Sequence, residues 1–425
     1  MRTIYAVVYT LGFILASPYW LVRGLFNPQY LKTLHKRFIG PGRILPRLDS
    51  RPRVWVWAMS LGEVLSAREL VNELEKDGSE VIITATTSAG LAMARASWPT
   101  RLILPSPLDF PLSCRRFLDL TLPDRLILVE TDLWPGILLE MKKRSLPASL
   151  VSARLSPRSF SNYRRIRFFW GRVLRLFDRI ITQTPEDSQK FLELGARPSS
   201  LSVGGNLKFD QSPPARAAVK ADLLEQTGWP EGRYLVAGSF HAGEDAMILS
   251  VFKNLLQEFP DLKLVLAPRD RHKFSMTYKQ AQEIFPDQTA RRSQPRPADR
   301  LCQVFILDTL GELENFYALA ELALIGKSWP GHHEGGGHNP LEASVRAKPV
   351  LSGPRVHNFK WIYKALEAAG GAVIVEKKEL YGRISELLKY PESLDRMGYR
   401  GQEFVRQHRG AVRQTLDLVM SDQGR

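Results

Sequence analysis

Short apolar runs alternate with longer amphipathic segments along most of the chain. Apolar runs of this kind predict buried β-strands, and helical segments between them predict a parallel sheet covered by helices on both faces. A first series of predicted strands is Val54–Met59, Val81–Thr86, Leu102–Leu104, Leu126–Val129, Ser149–Ser152 and Ile180–Thr182. A second series is Tyr234–Gly238, Leu262–Ala267, Val304–Leu307, Leu322–Ile325, Val350–Leu351 and Ala372–Val375.

A stretch without strand pattern separates the two series. Residues 211–232 contain Pro213, Pro214 and the helix-like segment AAVKADLLEQ, and we interpret them as a linker. A chain of 425 residues is too long for one ordinary hydrophobic core. The sequence therefore predicts an α/β protein with two Rossmann-like domains facing a central cleft. The N-terminal domain is expected at 23–210, and the C-terminal one, with closing C-terminal helices, at 233–425.

The first residues form a separate segment. Residues 4–22 include no charged side chain, and this length is just enough to cross the hydrocarbon layer of a bilayer. Residues 23–53 hold eight Lys or Arg against the single acid Asp49, which predicts that the body lies on the cytoplasmic side. We interpret residues 1–22 as a membrane anchor. A helix lying in the interface, which Pro18 and the aromatic residues allow, and a buried core helix are the alternatives.

Composition and charge narrow the function classes. With 44% hydrophobic and 24% charged residues, the chain is typical of globular proteins. Its two cysteines, Cys114 and Cys302, provide no disulfide framework and no CxxC spacing, which fits a reducing compartment. The net charge of +15 predicts an anionic partner, which is a membrane surface, a nucleic acid or an acidic substrate.

The most distinctive turn follows the predicted strand Leu322–Ile325. It contains the glycines 335–337 and leads to Asn339, Pro340 and Glu342. This order is typical of a helix start with Asn339 as N-cap and Pro340 at the first helical position. A helix start leaves backbone N–H groups unpaired, and glycines let an anion approach them, which favours a phosphate site. The same pattern also occurs in α/β proteins that bind no ligand there.

Polar turns follow other predicted strands as well, at Ser60–Glu63, Ser239–His241 and Pro268–Arg269. In open α/β sheets, ligands collect at the carboxyl ends of the strands. These turns and the glycine-rich one are therefore expected to rim a single crevice. Ser60 and Glu63 also have the spacing of a capping box, in which Glu63 would only accept a hydrogen bond from the cap backbone.

Six motifs, taken in chain order, resemble those of the Kdo transferases, the 3-deoxy-D-manno-octulosonic acid transferases of lipopolysaccharide biosynthesis. They are Met59–Glu63, Glu130–Pro135, Ser152–Ser156 with Arg158 and Ser159, Gly205–Asp210, Asp308–Leu313 and Gly336–Glu342. The resemblance extends from the N-terminal segment to about Phe359. Three positions depart from the family's pattern: Asp270 after Pro268-Arg269, Lys327 in place of a glycine, and an insertion at 332–334.

The resemblance implies a membrane-associated enzyme of the two-domain GT-B glycosyltransferase fold. Such an enzyme moves Kdo from CMP-Kdo to the lipid A precursor lipid IVA, with inversion at the anomeric carbon and without a metal ion or other cofactor. It works at the cytoplasmic side of the inner membrane. The expected partners are thus CMP-Kdo, lipid IVA and the anionic membrane surface, and no nucleic acid.

Glu63 is the candidate general base, since an inverting transfer needs a carboxylate to take the proton of the attacking hydroxyl. The capping interpretation of Glu63 stays open beside it. Asn339 and Glu342 have the same two interpretations, cap or ligand contact. Arg269 supplies a fixed positive charge for a phosphate or carboxylate, and His241 is interpreted as a substrate or phosphate contact. Further donor residues expected from the loop and the resemblance are Thr309, Gly311, Glu312, Gly336, Gly337 and His338.

Residues 154–179 contain eight arginines against the single acid Asp178, interleaved with aromatic residues. A solvated basic helix face is the simplest interpretation. The phosphates and acyl chains of lipid IVA would also suit such a surface, as would an anionic leaflet. Base stacking on a nucleic acid uses similar residues, but no RNA or DNA module is visible. The candidate acceptor residues are Ser60, Gly62, Asp132, Trp134, Arg154 and Arg158.

Three alternatives concern metal binding and function. His332, His333, Glu334 and His338 suggest a metal site, but the glycines between them give no helical spacing, and the prediction is that no metal binds. A different membrane-bound GT-B transferase, using a UDP- or GDP-sugar and a lipid acceptor, is the alternative enzyme. A non-catalytic basic protein on membrane or nucleic acid is the alternative outside enzymes. The sequence does not define the oligomeric state or the number of Kdo units added.

Overall fold

The chain divides into two compact units in the computed structural model. Unit 1 comprises Met1–Gln211 and Gly410–Arg425, and unit 2 comprises Ser212–Arg409. The structure describes residues 2–26, 28–47, 50–130, 133–210, 216–331 and 334–421.

Unit 1 is built on a seven-stranded parallel sheet with the order β3-β2-β1-β4-β5-β6-β7. Its central strands are buried along their whole length, as expected for a parallel sheet covered on both faces. The strands are β1 (Arg53–Trp57), β2 (Glu80–Ala85), β3 (Leu102–Pro105), β4 (Arg125–Val129), β5 (Ala148–Ala153), β6 (Arg179–Thr182) and β7 (Leu201–Val203).

Helices cover both faces of this sheet and form two apolar core layers with it. They are α1 (Arg2–Phe26), α2 (Pro28–Ile39), α3 (Leu61–Ser66), α4 (Arg68–Lys76), α5 (Ser88–Ser97), α6 (Pro111–Thr121), α7 (Pro135–Lys143), α8 (Pro157–Arg165), α9 (Arg167–Leu174) and α10 (Pro185–Glu193).

Unit 2 has a second seven-stranded parallel sheet, with the order β10-β11-β9-β8-β12-β13-β14. Its strands are β8 (Arg233–Phe240), β9 (Leu262–Pro268), β10 (Thr289–Arg291), β11 (Val304–Ile306), β12 (Ala320–Ile325), β13 (Val350–Ser352) and β14 (Ala372–Ile374). Its helices are α11 (Arg216–Thr227), α12 (Glu244–Leu255), α13 (Phe274–Ile284), α14 (Leu313–Phe316), α15 (Leu341–Ser344), α16 (Lys360–Ala368), α17 (Leu380–Lys389) and α18 (Pro391–Gln407). The final helix, α19 (Ala411–Met420), belongs to unit 1.

The two predicted series of strands are confirmed as the two sheets, with boundaries that differ by one or two residues. Two strands, β7 and β10, were not predicted. Each is only three residues long, and β7 is partly exposed, so neither produces an apolar run.

The domain boundaries differ from the prediction at three places. The N-terminal segment 1–22, expected as a separate anchor, belongs to unit 1. Part of the expected linker belongs to unit 2, because Trp229 is buried and its ring lies 4.2 Å from that of Phe305. The last helix, α19, was expected to close the C-terminal domain, but it packs in unit 1. The Asp210 carboxylate accepts 2.6 Å hydrogen bonds from the backbone N–H groups of Gly410 and Val412 and so fixes the start of this helix.

Helix α1 packs along unit 1 through one of its faces. The Tyr5 hydroxyl donates to the buried Asp109 carboxylate at 2.5 Å, and the ring of Phe13 lies edge-on to Phe110 at 4.8 Å. Asp109 also accepts from the N–H groups of Gly136 and Ile137 at 2.7 and 2.8 Å, which caps α7. A Cβ at Gly136 would lie 2.4 Å from the Asp109 backbone oxygen, so only glycine permits this approach.

The other face of α1 is apolar and exposed, at Leu11, Ile14, Leu15, Tyr19 and Val22. In the part of the chain that the structure describes, no helix has the length and apolar character needed to cross a membrane. The predicted spanning anchor therefore gains no support from the structure.

Candidate active site

Residues with left-handed backbone conformation mark the carboxyl ends of several strands. Glu130 after β4 has a φ of 68° and Ser152 in β5 one of 52° in unit 1. Ser239 in β8 has a φ of 59° and Lys327 after β12 one of 60° in unit 2. Side chains other than glycine rarely adopt this conformation, and such residues concentrate at functional sites. In both sheets, residues in this conformation thus lie at the carboxyl ends of strands, the edge where the sequence analysis expects the candidate sites.

Glu63 lies at the start of α3, immediately after β1. Its two carboxylate oxygens accept hydrogen bonds from the Met59 N–H at 2.6 Å and the Ser60 hydroxyl at 2.8 Å. Ser60 is the N-cap, and its hydroxyl oxygen accepts from the Glu63 N–H at 3.4 Å. The N-cap role of Ser60 is thus confirmed, and the backbone donor to the Glu63 carboxylate is the N–H of Met59, the residue before the cap. This cap holds the half-buried carboxylate in one orientation.

Glu130 forms a buried charge cluster in unit 1. Lys208 makes an ion pair with one carboxylate oxygen, and the Nε of Arg154 lies 3.4 Å from the other. Burial alone would raise the pKa of Glu130, but the charges of Lys208 and Arg154 outweigh burial and lower this pKa below its ordinary value. Glu130 is thus ionised at neutral pH. It forms an ion pair with Arg154, one of the predicted acceptor residues.

The remaining predicted acceptor residues are spread along unit 1. The Trp134 ring stacks on Trp57 with a centroid distance of 5.8 Å and an angle of 5°. Gly62 on α3 and Arg158 on α8 are exposed. Asp132 lies outside the described residues.

A basic and aromatic surface covers the junction of α8 and α9. The Phe168 side chain is 73% exposed and that of Ile166 is 55% exposed. The Arg172 guanidinium lies over the Phe168 ring at 4.1 Å, a cation–π contact. Further exposed arginines here are Arg164, Arg165, Arg167 and Arg175. We call this the α8–α9 surface.

Glu244 organises the strand ends of unit 2. Its side chain is fully buried, and its carboxylate accepts from the backbone N–H groups of His241, Lys327, Ser328 and Trp329 at 2.8 to 3.0 Å. Those donors belong to the turns after β8 and β12, so one carboxylate fixes both. The sequence pattern does not identify Glu244 as a site residue. A signal existed, since an acid three residues after His241 begins a helix, but nothing in the pattern shows its backbone partners.

The glycine-rich loop is held by its own backbone. The N–H groups of Gly336, Gly337 and His338 donate to the carbonyls of Arg355, Lys327 and Gly326 at 2.9 to 3.2 Å. The prediction that these amides are unpaired and hold a phosphate is therefore wrong at all three residues. Gly336 has a φ of 117°, and a Cβ there would lie 2.3 Å from the Asn358 side chain. The glycines thus serve close packing of this loop.

The helix after the loop is shorter than predicted. Helix α15 is a single turn that starts at Leu341, with Pro340 in place of Asn339 at the cap position. The side-chain oxygen of Asn339 accepts from the Leu341 N–H at 3.2 Å, and its amide nitrogen lies 3.5 Å from Glu342. The Asn339 side chain thus accepts from the start of the helix, as the cap interpretation predicts, but it lies one residue before the N-cap position. A helix of one turn also has only a weak dipole to attract an anion.

Three predicted donor residues, Thr309, Gly311 and Glu312, lie together after β11. The Thr309 hydroxyl donates to Glu312, and Arg292 donates to the other Glu312 oxygen at 2.9 Å. Gly311 has a φ of 85°. Arg269 at the end of β9 is exposed. Glu312 is thus held by an internal network, whereas the Arg269 side chain faces solvent.

Two histidines meet where the turns after β8 and β12 come together. The Nε2 atoms of His241 and His338 are 3.0 Å apart, and the rings are nearly parallel at 13°. The Tyr363 hydroxyl donates to the His338 carbonyl at 3.0 Å. A small pocket beside His241 is lined by Asp245, Asp270, Lys273 and Thr277, among others.

The predicted absence of a metal site is not tested by the structure. His332 and His333 lie outside the described residues. Elsewhere in the described ranges, no group of three His, Cys, Asp or Glu side chains has the geometry to hold a metal ion.

Comparisons with known proteins identify the family of this chain. Residues 32–211 match the family model described as 3-Deoxy-D-manno-octulosonic-acid transferase (kdotransferase). The chain is 32% identical over 402 residues to the 3-deoxy-D-manno-octulosonic acid transferase of Haemophilus influenzae, with 92% of each chain covered. It is 31% identical over 380 residues to the protein of the same name in Bordetella pertussis, with 86% of each covered.

A solved structure shares the fold. The crystal structure of a glycosyltransferase from Rickettsia africae aligns with a TM-score of 0.57 at 10% sequence identity, covering 88% of this chain and 99% of that chain. A likeness at this identity concerns the fold alone, which consists of two parallel-sheet α/β domains and is similar to that of GT-B glycosyltransferases.

Proposed function

The chain belongs to the 3-deoxy-D-manno-octulosonic acid transferase family, and on that premise we propose that it transfers Kdo from CMP-Kdo to lipid IVA. Transfer inverts the anomeric carbon and uses no metal ion or other cofactor. The observation that carries the proposal is the family relationship over nearly the whole chain. Kdo transfer is thus the family's reaction, and the lipid IVA acceptor is the proposed specificity within it.

Glu63 acts as the general base in this mechanism. It takes the proton of the attacking acceptor hydroxyl while the new C–O bond forms at the anomeric carbon and the bond to the CMP phosphate oxygen breaks. The electron pair of the broken bond leaves with CMP. A positioned base of this kind contributes ~10²–10⁴-fold in rate. The cap supports the role, because the hydrogen bonds from Met59 and Ser60 favour the ionised carboxylate.

The donor is assigned to the strand ends of unit 2. Arg269 is exposed and presents a guanidinium suited to a phosphate or to the Kdo carboxylate. We assign the other predicted donor residues to the walls of the CMP-Kdo site, with the loop shaping the site by its fold. These residues are Thr309, Gly311, Glu312, Gly336, Gly337, His338, Asn339 and Glu342.

The acceptor is assigned to unit 1. The α8–α9 surface combines exposed arginines with Phe168 and Ile166, which suits the phosphates and acyl chains of lipid IVA. Arg158 on α8 is exposed and is assigned to this acceptor surface. Arg154 is engaged with Glu130, so its role is assigned to holding that cluster.

Attachment to the cytoplasmic face of the inner membrane is also proposed, with α1 lying in the interface. Five apolar side chains on one face of α1 are exposed, from Leu11 at 55% to Leu15 at 81%. The opposite face is occupied by unit 1 through Tyr5 and Phe13. An apolar helix face beside a basic surface is typical of proteins that bind anionic leaflets.

The decisive experiment incubates the purified full chain with lipid IVA, in vesicles with or without anionic lipid, and a CMP-Kdo generating system. Mass analysis of the lipid is expected to show added Kdo. Glu63→Gln is expected to lose at least about 100-fold in turnover. It should keep its fold and CMP affinity, because glutamine also serves a capping box.

The matched control is Glu73→Gln, an acid on α4 that pairs with Lys76 away from the site. Its turnover should equal that of the unchanged protein. Retained turnover in Glu63→Gln would remove Glu63 from the mechanism. A preference for UDP or GDP over CMP in a binding assay would instead favour the alternative enzyme, which uses one of those nucleotide sugars.

A further inference from the structure

His241 and His338 form a side-chain pair that the reaction scheme above does not explain. Their Nε2 atoms are 3.0 Å apart, within hydrogen-bond distance. Both side chains are half-buried, so the pair is fixed by the protein yet open to a ligand. His241 follows β8 and His338 ends the glycine-rich loop, so the contact joins the two turns that Glu244 also connects.

The N–N distance restricts the protonation of the pair. Two Nε2–H groups would repel each other, and so would two bare lone pairs, so one Nε2 donates and the other accepts. A neutral pair meets this condition when the two rings are in different tautomers. A pair with one extra proton meets it as well, because an imidazolium donates to a neutral imidazole. A second extra proton breaks the bond, so the pair holds a single positive charge stably.

An anionic ligand at this loop needs positively charged side chains, because the loop N–H groups are not available to bind it. The amides of Gly336, Gly337 and His338 are all used by backbone carbonyls. A CMP-linked acidic sugar carries a phosphate and a carboxylate, both of which are stabilised by charged donors. Side chains must therefore provide what the loop amides do not.

The charged groups around the pair come from several elements. Acidic groups are Glu244 and Asp245 at the start of α12, Asp270 after β9 and Glu342 on α15. Basic groups are Arg269 and Lys273 after β9 and Lys327 after β12. The Glu244 carboxylate is occupied by backbone N–H groups, and it favours a cation nearby.

We propose that His241 and His338 act as one proton-sharing unit that supplies a single positive charge to the anionic groups of the donor. His338 contacts the donor, and His241 is a positioning residue that acts through His338. This inference rests on the proposed function, since it takes a CMP-sugar as the ligand.

The test measures CMP binding by calorimetry between pH 6 and pH 8. Affinity should increase as the pH falls, because an added proton gives the pair a positive charge. His241→Ala and His338→Ala should each weaken binding by about tenfold at pH 6 and remove most of the pH dependence. The double variant should bind CMP as tightly as either single variant, because each single substitution already removes the histidine pair.

Two further variants separate charge from position. His241→Gln keeps a hydrogen bond to His338 but leaves His338 as the one ring of the pair that can take a proton. Affinity at pH 8 should therefore survive, while the pH dependence should weaken. His35→Ala removes an exposed histidine of unit 1 and should change nothing. The titration of CMP itself is common to all variants and cancels in the comparison.

Nitrogen NMR of the histidine rings gives a readout without ligand. At pH 7.5, one ring of the pair should have a bare Nε2 and the other a protonated Nε2, and His338→Ala should change the signals of His241. Additive losses in the double variant, or an unchanged pH dependence in both alanine variants, would overturn the inference. If the unchanged protein bound no CMP while the NMR signals showed the pair, the proposed donor would be wrong, and with it the charge role of the pair.

Discussion

Two buried glutamates, one in each unit, are stabilised in opposite ways. Glu130 in unit 1 faces the side-chain cations of Lys208 and Arg154. Glu244 in unit 2 faces four backbone N–H groups. Burying a carboxylate without partners is very unfavourable, so each glutamate needs all of its cations or N–H donors.

The difference decides what each glutamate fixes. The cations on Glu130 come from the residue that follows β5 and from the segment before Asp210, so that cluster joins two parts of unit 1 through side chains. The donors on Glu244 belong to the turns themselves, so that carboxylate fixes the path of the backbone. Unit 1 thus has a charge cluster formed by side chains, and unit 2 has a carboxylate that joins the turns after β8 and β12 through their backbone N–H groups.

Glu130→Gln is expected to have the largest effect on stability. The variant leaves the buried Lys208 without its counter-charge and also weakens the pair with the partly exposed Arg154. Removing one partner of a buried ion pair costs about 3–5 kcal/mol. Calorimetric unfolding should show a marked decrease in the melting temperature of unit 1, with CMP affinity unchanged. The control is Glu321→Gln, which removes a half-exposed pair with Arg233 in unit 2. Equal losses in the two variants would contradict the distinction between buried and exposed pairs.

Asp109→Asn tests a third buried carboxylate, the one that joins α1 to α7. Burial raises the pKa of Asp109 from 3.8 to about 6, although hydrogen bonds from Tyr5, Gly136 and Ile137 act in the opposite direction. An acid with a raised pKa stabilises the fold fully below its unfolded pKa, and this contribution is lost as pH rises through the folded pKa. Asparagine does not titrate, so the variant should gain stability relative to the unchanged protein between pH 4 and pH 7.

The gain should reach roughly 2–3 kcal/mol by pH 7, given about 1.4 kcal/mol for each pKa unit. Urea unfolding at several pH values measures it. Asp119→Asn, an acid exposed on α6, is the control and should leave the pH dependence unchanged. A variant whose stability difference does not change with pH would show that Asp109 is ionised throughout this range.

Glu244→Gln is expected to have a smaller effect on stability and a larger effect on the ligand. The amide nitrogen of glutamine would face backbone N–H groups, and leaving such donors unsatisfied costs about 1–3 kcal/mol. Hydrogen exchange at Lys327, Ser328 and Trp329 should increase, and CMP affinity should fall by at least about tenfold. Glu130→Gln is the matched control for the ligand effect. Unchanged exchange at these amides would show that the turns keep their shape without the carboxylate.

The sequence predicts the two sheets well because their strands are buried along most of their length and appear as apolar runs. It also locates the strand ends, the cap of Glu63 and the glycines. It does not predict what depends on partners distant in sequence. Glu244 receives N–H groups from residues more than eighty positions away, and the loop amides pair with carbonyls that no local pattern identifies.

The backbone conformation of Lys327 is another feature that the local sequence pattern does not predict. The family resemblance has a glycine at this position, and the structure gives Lys327 a left-handed φ of 60°. Backbone conformation explains why glycine is usual there. Helix α19 is amphipathic, and its pattern predicts a helix, but its membership of unit 1 depends on the contact with Asp210.

That contact has a consequence for the order of synthesis. Unit 1 is discontinuous, and its last helix leaves the ribosome after all of unit 2. Helix α19 contributes Val412, Leu416 and Val419 to the same apolar layer as Val54 and Val56 of the first strand. The first unit to emerge is therefore the last to be completed, and a nascent chain must keep an unfinished apolar face protected until translation ends. A nonsense mutation near the end of the gene would damage the unit encoded at its beginning.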